Sequence, residues 1–146
     1  MKARLALVVL LSGLVLGACG TQTPDPPAYR DRTEQALSTA LSEVATVQLV
    51  IERLDRHDLQ SDYAGIVVTD SDDALGGAVT SYTSLDPPRA EQHLFEQASA
   101  QLSRAQDLVL RARIAVSRND AAEYPALARD LSHVASQLDE RDKALQ

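Results

Sequence analysis

The 146-residue chain is long enough for one domain with one modest core, and its apolar content rests on Ala, Leu and Val, with one Phe and no Trp. A formal net charge of -7 at pH 7 speaks against nucleic acid, whose phosphates demand a basic face. The same charge disfavours a polybasic membrane patch, because anionic headgroups repel an acidic body.

In chain order, Lys2 and Arg4 form a short positive segment, and Leu5 to Val15 form an apolar one before small residues. This is the layout of a signal peptide over residues 1–18. The apolar stretch from Leu5 to Ala18 falls short of the roughly 20 residues that a spanning helix needs. Leu16-Gly17-Ala18-Cys19 then resembles the lipobox of bacterial lipoproteins. That resemblance implies cleavage between Ala18 and Cys19, lipid on the Cys19 thiol, and a body held outside the cytoplasm at the cell membrane or outer membrane of a bacterium. Cys19 is the only cysteine, so a disulfide within the chain is excluded. Residues 19–28 are polar and Pro-rich, which predicts a semi-rigid tether reaching on the order of 25–30 Å.

From residue 29 to 146 the apolar residues recur at helical spacing, and the expected fold is all-α. Leu37, Ala40, Leu41, Val44, Val47, Gln48, Ile51 and Leu54 place one stripe on a helix over about 29–56. Tyr63, Val67, Ala74, Leu75, Ala78 and Tyr82 define a broad face over about 61–84. There Val67-Val68-Thr69 and Gly76-Gly77 weaken the helix, and Thr69 to Asp73 offer a capped break; one kinked helix is the preferred reading. Asp86 before Pro87-Pro88 signals a third helix over about 87–117, its buried face running from Leu94 through Ala98, Leu102, Ala105, Leu108 and Ala112 to Val116. Asp120 with Glu123 reads as a capping box for a fourth over about 121–143, striped by Tyr124, Leu127, Leu131, Val134 and Leu138. Four amphipathic helices joined by short turns predict an up-down-up-down antiparallel four-helix bundle.

The residues that could carry chemistry are sparse. Asp130 to His133 hold a carboxylate three residues before a histidine, but a bundle metal site needs a second such motif and further Glu. His133 and His93 lie off their apolar stripes. His57, Asp58 and Asp62 cluster at the first turn, where capping explains them more simply than a cation does. Asp70-Ser71-Asp72-Asp73 has the composition of a calcium loop without its turn Gly. No cofactor, metal or catalytic constellation is expected.

Two surface features exceed what a bundle needs. On the third helix Leu110 and Ile114 point away from the buried stripe; on the second, Gly65, Thr69, Gly76 and Thr80 line a smooth outer strip beside Ile66. The expected function is a membrane-anchored, non-catalytic lipoprotein whose second and third helices dock an envelope protein partner. A binder of an apolar small molecule or lipid is the second reading, and an enzyme of unknown class the third. A pocket of about 300 Å³ or more lined by Leu, Val and Tyr would favour the second.

Overall fold

The computed structural model describes residues 25–146, and among them every regular element is helical. Helix α1 spans Pro26–Asp55, α2 Ser61–Thr83, α3 Gln92–Ser117 and α4 Tyr124–Lys143, with a 3-10 turn at Arg89–Glu91. Helix α1 packs against all three others and α3 against α2 and α4, while α2 and α4 stay apart.

Helix α1 starts earlier than expected. The Asp25 carboxylate accepts the Ala28 N–H at 3.0 Å, and Pro26 and Pro27 take the first positions, where a missing N–H costs nothing. Pro26 to Ala28 therefore belong to the body, and the tether expected over 19–28 loses its last three residues. The helix stops at a left-handed His57, with Asp58 N–H bonded to Arg53 O and His57 N–H to Leu54 O. Helix α3 stops the same way, with Asn119 in the left-handed conformation, Asp120 N–H on Ala115 O and Asn119 N–H on Val116 O.

Helix α2 runs through Val67–Thr69 and Gly76–Gly77 as one element, so Thr69 to Asp73 cap no break. Its buried face is also displaced from the expected one. Ala64, Val68, Ser71, Leu75, Val79 and Tyr82 are inside, while Tyr63 and Ala74 are exposed. The α3 start moves from residue 87 to 92, because Asp86 and Pro87 each precede a proline, which disfavours helical backbone, and Pro88 is extended at φ -55° and ψ 146°. The expected capping box does not form: Asp120 to Glu123 make a turn, and α4 begins at Tyr124 without a side-chain cap.

The core is aliphatic and fine-grained. Leu37, Ile51, Leu75, Leu102, Leu127, Leu131 and Leu138 are fully buried, and Ala40, Ala64, Ala98, Ala105 and Ala112 between them let the helices approach closely. At one end the phenols of Tyr29 and Tyr82 meet at 2.9 Å, Thr33 Oγ1 lies 3.3 Å from the Tyr82 hydroxyl, and Thr33 donates to Tyr29 O. Phe95 stacks on Tyr82 at 5.7 Å between centroids. Burial, with the phenolic contact to Tyr82, pushes the Tyr29 hydroxyl well above the ordinary tyrosine range. Beside this cluster Arg30 clamps the buried Glu91 carboxylate at 2.9 Å.

Candidate surface on the second and third helices

The contacts between α2 and α3 fix which side chains share a surface. Tyr82 stacks on Phe95, a Cβ at Gly76 would meet Gln106 Nε2 at 3.4 Å, and Arg113 donates to Asp72 at 2.7 Å. Continuing along both helices, the start of α2 meets the end of α3. There a groove of about 510 Å³ is lined by Ser61, Asp62, Gly65, Ile66, Thr69 and Asp70 on one side and Val116, Ser117 and Asn119 on the other.

Three of the expected surface residues thus come together. Ile66 stands 61% exposed on the groove wall, with Gly65 and Thr69 half-buried beside it. Gly76 does not join them: it faces α3 rather than an outer strip, and neither it nor Gly77 needs glycine backbone freedom, since no described glycine has positive φ. Leu110 (43% exposed) and Ile114 (40%) lie on the outer side of α3, as their offset from the stripe requires, but do not line the groove. Tyr63, which periodicity places on the buried face of the second helix, is exposed, and so is Leu49 on α1.

Charge is uneven across this surface. Helix α2 contains Asp62, Asp70, Asp72 and Asp73 and no Lys or Arg. Asp72 is taken by Arg113, whereas Asp62, Asp70 and Asp73 make no ion pair among the described residues.

The remaining candidates do not assemble a reactive centre. Asp70 to Asp73 lie on a helix, not a loop. Asp58 sits 4.0 Å from Arg53 and 3.8 Å from Arg56, and His57 Nδ1 is 3.2 Å from Asp55 O. His93 and His133 are exposed. Among the described residues no group of three His, Cys, Asp or Glu is arranged to hold a metal, and no helix is long and apolar enough to cross a membrane. Ala18 and Cys19 lie outside the described residues.

A second groove, about 380 Å³, runs between α1 and α2 on the side away from α3. Arg32, Gln35, Thr39 and Ser81 line it together with Ala36, Gly77, Ala78, Tyr82 and Leu85. It has the size expected of a ligand site, and Tyr82 and Leu85 line part of it, but no Val does and the rest of its wall is small or polar. No protein-family model, curated protein or solved structure matches the chain.

Proposed function

We propose that this chain is an exported lipoprotein, cleaved between Ala18 and Cys19, anchored through lipid on Cys19, and carrying a non-catalytic helical bundle that docks an envelope protein. The observation that carries the anchor is the order of segments: Lys2 and Arg4, an apolar run too short to span, Leu16-Gly17-Ala18-Cys19, and then a folded body. Two acyl chains bury tens of methylenes at about 0.8 kcal/mol each, so release into water is negligible. Helix α1 begins at Pro26, seven residues after Cys19, which limits the tether to roughly 25 Å even when extended.

The bundle is proposed to run up, down, up, down. Supporting this are the pairs Tyr82 with Phe95 and Asp72 with Arg113 between α2 and α3, the Tyr29–Tyr82 bond between α1 and α2, and Arg141 with Gln97 and Arg111 with Asp130 between α3 and α4. In that arrangement the Tyr29 end faces the membrane and the groove beside Gly65 faces away from it. A partner is favoured over a small apolar ligand because the α1–α2 groove is rimmed by Arg32, Gln35, Thr39 and Ser81, whereas the α2–α3 groove sets the exposed Ile66 beside the carboxylates of Asp62 and Asp70.

Metabolic labelling with a fatty-acid probe tests the anchor. Wild type should take up label and partition with membranes, and Cys19→Ala should lose the label and persist as precursor or be shed. Undiminished label in the variant would refute the lipobox assignment.

A further inference from the structure

We infer that the outer face of α2, with the groove at its start, receives a cationic amphipathic helix of the partner. The inference rests on the partner-docking reading and narrows it to one face and one chemistry. At 100° per residue Asp62, Ile66 and Asp70 lie one above another on α2, with Thr69 and Asp73 on the adjoining row. Ile66 is the most exposed large apolar side chain among the described residues, and it stands beside Asp62 and Asp70, which form no ion pair with any described residue. A helix offering an aliphatic residue to Ile66, and Lys or Arg at the flanking positions, satisfies both features together. The strip from Asp62 to Asp73 is about 16 Å long, three turns of such a helix.

Gly65 supplies an independent observation. Glycine in a helix interior is less stable than almost any other residue, yet a Cβ at Gly65 would meet nothing within 4 Å, and its φ is ordinary. Neither packing nor backbone conformation within this chain calls for glycine there. Its smallness does keep the groove beside Ile66 open to a close approach. An anionic lipid surface is excluded as the occupant by the carboxylates, and the same face of a second copy is excluded by like charge.

The test uses the full-length protein in nonionic detergent and a fluorescent 18-residue amphipathic peptide of Leu and Lys, with a Leu/Glu peptide of the same pattern and a Lys/Ser peptide as controls. The Leu/Lys peptide should bind, the controls should not, and affinity should fall as salt rises. Asp62→Asn/Asp70→Asn/Asp73→Asn should weaken binding at least about tenfold. Gly65→Leu should do the same while melting no lower than wild type, which separates a blocked groove from a damaged fold. Equal binding of the Leu/Lys and Leu/Glu peptides, or unchanged binding by the triple variant, would overturn the inference. Should wild type and triple variant capture the same protein equally from solubilised envelope, the α2 assignment falls while the partner reading stands.

Discussion

Leu102 and Leu110 sit two turns apart on α3 and differ chiefly in which way they face. Leu102 is 0% exposed, on a helix bounded by α1, α2 and α4, and Leu110 is 43% exposed on the outer side. Leu102→Ala removes buried methyl and methylene groups and leaves a cavity that three surrounding helices cannot easily close, so the loss should fall within the 2–5 kcal/mol range of buried Leu→Ala changes, at about 3 kcal/mol. Leu110→Ala removes atoms already largely in contact with water and should cost about 0.5 kcal/mol or less. Helix propensity shifts slightly towards Ala at both positions and cancels in the comparison. Equilibrium urea unfolding followed by far-UV circular dichroism measures both, with the slope m unchanged if the denatured state is unaffected. A body of this size should also lose on the order of 10 °C in Tm for the first variant. Equal losses would place Leu110 inside and refute the α3 register.

Two further predictions address the ends of the bundle. His57 holds a left-handed conformation that costs a non-glycine residue roughly 1 kcal/mol, so His57→Gly should raise stability by up to about that amount in the same unfolding assay. Tyr82→Phe strips Tyr29 of its hydroxyl partner and should cost about 1–3 kcal/mol. Because the Tyr29 hydroxyl is held above its ordinary range in the folded state, stability should be fully present below about pH 10 and fall as pH rises beyond it, by about 1.4 kcal/mol per unit for that group; Tyr29→Phe should lessen the fall.

How legible each helix is depends on contrast along its faces. Leu127, Leu131, Val134 and Leu138 on α4 stand out against Arg129, Asp130, Ser132 and His133, and all four are buried as the pattern requires. Helix α2 offers no such contrast: its Ala residues are buried at 64, half-buried at 78 and exposed at 74, Val67 and Val68 are adjacent, and Ser71 is buried because a small hydroxyl residue fits where helices approach closely. A pattern that treats Ser as polar and Tyr as core consequently places Tyr63 inside and Ser71 outside, the reverse of the structure. Helix starts were displaced for a different reason. Prolines at 87, 88 and 125 set where helical backbone can begin, and they outweigh capping by Asp86 or Asp120. Within the candidate surface, the exposure of Ile66, Leu110 and Ile114 follows from periodicity on one helix. That Gly65 and Ile66 share a groove with Val116, or that Tyr29 meets Tyr82 across 53 positions, depends on how helices are set against each other, which no single stripe encodes.

The placement of the acidic strip bears on what it can meet. In the proposed orientation Tyr82 lies level with the start of α1, so Asp73 and Asp62 stand roughly 14 and 30 Å further out at 1.5 Å per residue. Headgroup charge decays over about 8 Å at physiological ionic strength, and the strip lies beyond its reach even if the tether holds the body against the membrane. Over that distance Asp62, Asp70 and Asp73 form no ion pair among the described residues, the paired carboxylate of α2 being Asp72 with Arg113. At the Tyr29 end the bundle is closed by the Tyr29–Tyr82–Phe95 cluster and the Arg30–Glu91 clamp. The far end combines an open groove with unpaired charge, so under the proposed anchoring a protein arriving from the aqueous side would encounter that end first.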